Sequence, residues 1–154
     1  MYNKAMSKDA AETSLEGIRL TTQTIKGEDL FKEVFVDGQL DPRFRPIEEG
    51  GVFEFAKWLF REPYMKKRDV WFSILRLNGL IVGAADLVPT PSDPKALELM
   101  SVTIDHNLKG LRRSDNASER EIRLSERLLR EVFQFVKKRG CTALYLSPIV
   151  PEGA

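Results

Sequence analysis

Trp71-Phe72-Ser73-Ile74-Leu75-Arg76-Leu77-Asn78-Gly79-Leu80-Ile81-Val82-Gly83-Ala84-Ala85 is the stretch that decides the fold. Two apolar runs flank Asn78-Gly79, the pair best suited to positive φ at both central positions of a two-residue turn, so an antiparallel hairpin is predicted. Its second arm runs on to Val88. Pro89, Pro91 and Pro94 then predict an exposed loop, because proline removes a ladder donor and fixes φ. Residues 96–105 resume as a strand, with Glu98 set among apolar and β-branched neighbours.

Downstream, Ser118-Glu119-Arg120-Glu121 fits a capping box and opens a long helix. Ile122, Ser125, Leu129, Val132, Phe133 and Val136 cluster on one side of it, while Arg123, Glu126, Arg127, Arg130, Glu131, Lys137 and Lys138 share the other. Gly140 ends the helix at the residue type that tolerates a left-handed cap. Residues 142–146 are short and apolar, as a buried strand should be, and Pro148 and Pro151 end pairing soon after. Strand, helix and strand in this order predict a crossover unit with its two strands parallel, so the sheet is mixed.

Upstream, residues 17–24 alternate with period 2 and predict a first strand. Residues 28–36 place Leu30, Phe31, Val34 and Phe35 on one helical face, with Glu28 and Asp29 in the first turn and Asp37-Gly38 closing it. Residues 52–61 carry Val52, Phe55, Ala56 and Leu59 at helical spacing, and Pro63 stops that helix. Phe53, Trp58 and Phe60 lie off this stripe; they either line a groove or pack in the core. Residues 1–16 hold few large apolar groups and read as a flexible tail, leaving 17–154 as a single domain. The fold class is α/β, a mixed and mostly antiparallel sheet with a C-terminal β-α-β crossover.

Composition sets bounds on function. The chain has 154 residues, 42% hydrophobic and 31% charged, with 24 Lys and Arg against 23 Asp and Glu, which suits one globular domain with no global attraction to nucleic acid or anionic membrane. No nucleic-acid reading motif is present, so nucleic acid is not expected as a partner. No apolar run approaches the roughly 18 residues of a membrane span, and residues 1–16 lack a signal-peptide core, so a cytoplasmic protein is expected. One cysteine, Cys141, and one histidine, His106, do not by themselves make a disulfide framework or a zinc site. No metal is expected.

The element order resembles the GCN5-related N-acetyltransferase (GNAT) superfamily over residues 17–147. Residues 75–85 look like that family's second and third strands, with Gly83 where the family often carries glycine after an apolar triplet. Val102-Thr103-Ile104, a basic loop, a helix containing Leu128-Leu129, and Gly140 before a closing strand resemble its acetyl coenzyme A unit. The resemblance implies acetyl-CoA as co-substrate, with strand amides near Val102 and Ile104 aligning the pantetheine. It also implies Lys109, Gly110, Arg112 and Arg113 as the phosphate clamp, since backbone amides ahead of a helix converge on a pyrophosphate.

The family's phosphate pattern is Arg or Gln, two residues, Gly, one residue, then Gly or Ala. Asn107-Leu108-Lys109-Gly110-Leu111-Arg112 keeps the first glycine of it. Arg120-Glu121-Ile122-Arg123-Leu124-Ser125 keeps the arginine but puts Arg123 where bare backbone is needed, and overlaps the capping box. The first register is therefore preferred, although Lys109, Arg112 and Arg113 also fit a merely solvated loop. Glu98, on the strand resembling the family's fourth, is the candidate base for an attacking amine, or else it alternates outward without a role; Asp86 is a weaker substitute.

The family continues through another helix and two strands, while residues 147–154 follow here. The edge of strand 142–146 is therefore expected to be covered by a second copy, in a homodimer, or by a partner protein. The implied activity is CoA-dependent N-acyl transfer, N-acetyl transfer in particular, to a small amine or a protein lysine. The alternative is a non-catalytic domain of the same fold that serves as a protein-interaction or regulatory module.

Overall fold

The computed structural model describes residues 11–15, 18–51, 53, 56–105, 108 and 124–147. Ala11–Leu15 (β1) pairs antiparallel with Ile18–Lys26 (β2), from Ala11↔Thr22 to Leu15↔Ile18. Part of the expected tail is thus a strand. Main-chain donors and acceptors make that ladder, and it needs no apolar side chains to form.

Gly27–Val34 (α1) buries Gly27, Leu30 and Val34, with Glu28 and Asp29 in its first turn. The helix ends before the expected residue 36, because Phe35–Val36 (β3) and Gln39–Leu40 (β4) form a small hairpin. Asp37 and Gly38, with φ of 52° and 79°, are its turn and not a helix cap. Two 3₁₀ turns, Pro42–Phe44 and Ile47–Glu49, follow. Of the helix expected over 52–61, the described residues show one turn, Ala56–Leu59 (α2), while residues 52, 54 and 55 lie outside them; Pro63 lies in the first turn of Glu62–Met65 (α3). Proline belongs at that position because its missing N–H would have no helical partner there.

Trp71–Leu77 (β5) and Leu80–Thr90 (β6) form the expected hairpin, with Asn78 and Gly79 at φ of 51° and 88°. The loop expected from Pro89, Pro91 and Pro94 shrinks to a tight turn, because β6 continues through Pro89 and Asp93–Ile104 (β7) includes Pro94. Pro89 lies past Leu87, the last β6 partner of β5, and Pro94 lies before Ala96, the first β7 partner of the next strand. Neither proline interrupts a ladder on its outer side. Leu124–Lys138 (α4) then crosses back, and Ala143–Leu146 (β8) pairs parallel with β7.

The main sheet has the order β1-β2-β5-β6-β7-β8, and only the β7 to β8 pair is parallel. One face carries α1 to α3 over Phe72, Ile74 and Ala84, with Phe44, Phe53 and Phe60 buried in that layer. Phe53 and Phe60 are therefore packing residues, while Trp58 is exposed. The other face carries α4 on Leu75, Ala85, Leu87, Leu97 and Leu99.

The buried stripe of α4 is Leu124, Leu128, Val132 and Val136, a turn-by-turn i, i+4 series. This rotates the face read from the sequence. Phe133 is exposed, and Glu131, expected on the polar side, accepts hydrogen bonds from the Thr22 and Thr24 hydroxyls of β2 at 3.1 and 2.8 Å. Ile122 and the capping-box residues 118–121 lie outside the described residues.

Candidate active site

The site is built where the two parallel strands stop pairing. Their register runs from Ala96↔Ala143 to Leu99↔Leu146, whereas β7 continues to Ile104. The Leu99 carbonyl accepts from the Ser147 amide at 3.1 Å, at the end of that ladder. Beyond it, among the described residues, no strand pairs with the side of β7 turned away from β6, and we call this unpaired edge the notch.

A bulge sets what faces this notch. Asp86 pairs with Ser101 and Leu87 with Leu99, so Met100 is the extra residue. The Lys95 and Leu99 carbonyls point toward β8, where Thr142 and Ser147 donate to them. Past the bulge, the Asp105 amide donates to the Val82 carbonyl of β6 at 2.7 Å. Alternation then turns the main-chain groups of Ser101 and Thr103 toward β6 and those of Val102 and Ile104 outward, toward the notch. Without the slip at Met100, the outward pair would be Ser101 and Thr103.

Side chains alternate too. Leu97, Leu99, Val102 and Ile104 pack on the α4 side. Glu98, Ser101 and Thr103 therefore share the opposite face, above the helical layer of α1 to α3. Glu98 is half-buried, between Val88 of β6 and Tyr145 of β8 in the ladder. Thr103 is buried, and its hydroxyl has no hydrogen-bond partner among the described residues.

Asp86 is the buried charge of this face, 3% exposed. Its carboxylate accepts from the Ser101 hydroxyl at 2.6 Å and from the Tyr64 hydroxyl of α3 at 2.5 Å. Burial raises the Asp86 carboxyl above the usual carboxylate range, and the two hydrogen bonds offset part of that rise. Burial, followed by the Asp86 charge, pushes the Tyr64 hydroxyl up. The Arg61 guanidinium and the Lys67 ammonium lie 5.8 and 5.7 Å from the Tyr64 ring centre.

The structure thus places Glu98 in the paired part of β7, opposite Tyr145, and the main chain of Val102 and Ile104 on the notch beyond it. Lys109, Gly110, Arg112 and Arg113 lie outside the described residues, as does His106. Cys141 is half-buried against the α4 side of the core. Among the described residues, no three His, Cys, Asp or Glu side chains are grouped to hold a metal, and no helix is long and apolar enough to cross a membrane. Tyr64 and Ser101 were not singled out from the sequence. The visible signal was Asp86, a lone carboxylate in an apolar strand, which calls for buried donors.

No protein-family profile matches the chain, and no curated protein is significantly similar to it. Solved structures are similar. An aminoglycoside acetyltransferase from an uncultured soil metagenomic sample, in complex with sisomicin, aligns with TM-score 0.50 and 16% identity over 84% of this chain and 78% of that one. A ribosomal-protein-alanine N-acetyltransferase from Brucella melitensis biovar Abortus 2308 aligns at TM-score 0.49 and 14% identity, over 87% and 84%. The mixed sheet with its terminal parallel pair is the GNAT fold. Identities this low establish architecture, and activity has to be argued from the site.

Proposed function

We propose that this chain is a CoA-dependent N-acyltransferase that moves an acetyl group from acetyl-CoA to an amine by direct attack. The observation that carries the reading is the notch beyond Leu99 and Leu146, where the bulge at Met100 turns the main chain of Val102 and Ile104 toward an open edge. A pantetheine arm carries amide groups, so it can add to that edge as an extended strand would, satisfying donors and acceptors that β8 leaves free. Lys109, Gly110, Arg112 and Arg113 hold the phosphates in this reading, ahead of α4. Main-chain N–H groups at the edge polarise the thioester carbonyl, and fixed placement of the two substrates supplies much of the rate.

Glu98 is the base that takes a proton from the arriving ammonium. It stands on the face away from α4, next to the last paired residues of β7 and β8, so the acceptor enters from the side of α1 to α3. The acceptor is a small amine or a protein lysine.

A second reading is favoured by one observation. β8 is the last strand in the sheet order, and its Tyr145 and Leu146 are 47% and 66% exposed. A second copy or a partner protein pairing there would suit a non-catalytic interaction module as well as an enzyme.

Calorimetry with acetyl-CoA separates the two. Micromolar binding that is lost in the Arg112→Ala, Arg113→Ala double variant supports the transferase, and no binding at millimolar ligand removes it. Light scattering on the wild type and on Leu146→Lys tests the edge: a dimer that becomes a monomer supports self-pairing, and a wild-type monomer at high concentration rules it out.

A further inference from the structure

We propose that Ser101 and Asp86 form a proton shuttle that moves a proton from the acceptor nitrogen to the departing sulfur during acyl transfer, with Tyr64 holding Asp86 in place. This rests on the acyltransferase reading of the notch.

The argument starts from the hydrogen-bond directions. The Ser101 hydroxyl has one proton, and it is committed to Asp86 Oδ1 at 2.6 Å. Its oxygen lone pairs are left to accept a proton from elsewhere. Asp86 Oδ2 is occupied by Tyr64 at 2.5 Å, so the carboxylate is fixed from both ends and its Oδ1 is aimed at Ser101. Asp86 is itself too buried to touch a substrate, whereas Ser101 is partly exposed and lies on the stretch of β7 past Leu99, the last residue that β8 pairs. Asp86 thus meets two partly exposed hydroxyls, Tyr64 on α3 and Ser101 on β7, and Ser101 is the one carried by the stretch of β7 that β8 leaves unpaired.

The chemistry supplies a use for it. An amine that has already lost one proton to Glu98 attacks the thioester carbon and becomes a cationic nitrogen with one proton too many. The sulfur leaves the same carbon with an electron pair and one proton too few. In the shuttle the N–H bond breaks as that proton goes to Ser101 Oγ, and the original Ser101 proton passes to Asp86 Oδ1. When the C–S bond breaks, Ser101 gives its proton to sulfur, and Asp86 returns one to Ser101. Nitrogen has lost a proton, sulfur has gained it, and the two side chains end as they began.

The raised affinity of Asp86 for protons, caused by burial, brings it closer to neutrality and so suits a transient acceptor. Glu98, which pairs with Val88, is a second carboxylate on this face of the sheet, and Arg61 and Lys67 are cations beside Tyr64.

The test uses the full chain, acetyl-CoA and a panel of primary amines, with free thiol as the readout. Ser101→Ala should lower kcat about 100-fold, the scale of one acid–base group, without changing the calorimetric affinity for acetyl-CoA. Ser101→Thr, which keeps the hydroxyl, should restore turnover. The wild-type rate should show a curved dependence on deuterium fraction, as expected when more than one proton moves, and that curvature should vanish in Ser101→Ala. Asp86→Asn should match Ser101→Ala in rate; should it fail to fold, Ser101→Ala alone decides. Wild-type turnover in Ser101→Ala, or no rescue by threonine, overturns the shuttle and leaves the acyltransferase standing. A wild type that neither binds acetyl-CoA nor acylates any amine overturns both.

Discussion

Tyr64 and Asp86 are joined by a 2.5 Å hydrogen bond that ties the short helix α3 to the centre of the sheet, on the face opposite α4. The bond tethers a segment with little regular structure of its own, since α2 and α3 are single turns. It also fixes the carboxylate that Ser101 shares.

A pH signature follows from the burial of Asp86. Its folded-state affinity for a proton is raised above that of an exposed carboxylate, so between the two values the native chain holds the proton more tightly than the unfolded chain does. Stability contributed by this group therefore falls as pH rises through that window and stays low above it. Asp86→Asn removes the effect and keeps hydrogen bonds to both hydroxyls if one of them reverses direction. The variant should be more stable than wild type at pH 7, on the order of 1 kcal/mol, and this advantage should shrink toward pH 4. Urea denaturation at both pH values measures it, and an advantage that grows on acidification would refute the sign.

Glu131 fastens α4 to the sheet. Its two oxygens accept from Thr22 and Thr24, and Thr24 is in turn 2.7 Å from the Ser73 hydroxyl of β5. Thr22 is buried, so losing the acceptor leaves its hydroxyl without a partner. Glu131→Ala should cost about 2 kcal/mol in a denaturant titration, and Glu131→Gln, which keeps one acceptor, clearly less. Equal losses would mean that the chain needs the volume and not the hydrogen bonds.

The parts of this structure legible in the sequence are those fixed by local chemistry. Asn78-Gly79 specifies its turn, and the alternation in β2 and the apolar run of β8 specify strands, so the hairpin, the crossover and the mixed sheet could be read directly. The site was only partly legible. Glu98, Val102 and Ile104 share one strand, but the slip at Met100 that turns Val102 and Ile104 outward depends on cross-strand register, which no local pattern encodes. Tyr64 meets Asp86 across 22 residues, through a segment whose helical spacing overstated its helix. The tilt of α4 was misread for a related reason: Phe133 counts as apolar in a periodicity, whereas the packed face is set by what the sheet offers, including two threonines that attract Glu131.

Arg76 makes a forked ion pair with Glu33 of α1, with nitrogen to oxygen distances of 2.6 and 2.9 Å, and it reaches Gln23 of β2 at 3.3 Å. Lysine presents a single ammonium and cannot reproduce the fork. Because Glu33 is exposed to solvent on one side, the pair is worth about 1 kcal/mol or less. A double-mutant cycle of Arg76→Lys and Glu33→Gln should show that coupling at low salt and lose most of it at high salt. Coupling independent of salt would point to shape and not charge.

Gly27 gives the sharpest stability prediction, because two ordinary rules conflict there. Alanine in place of glycine in a helix normally gains up to about 1 kcal/mol. Here the first residue of α1 is buried, and its amide donates to the Val70 carbonyl at 2.8 Å. A methyl group at this position would lie 2.5 Å from the Met65 carbonyl oxygen and 3.2 Å from the Phe72 ring. The first contact is with backbone, so relief requires moving α3 away from α1 and disturbing the Tyr64 to Asp86 bond one residue earlier. Overpacking of this kind costs about 1–3 kcal/mol. Gly27→Ala should therefore lower the denaturation midpoint, and should also raise hydrogen exchange in residues 62–70. A stabilised variant would mean that the two helices can separate freely, and that α3 is not held against the sheet as described.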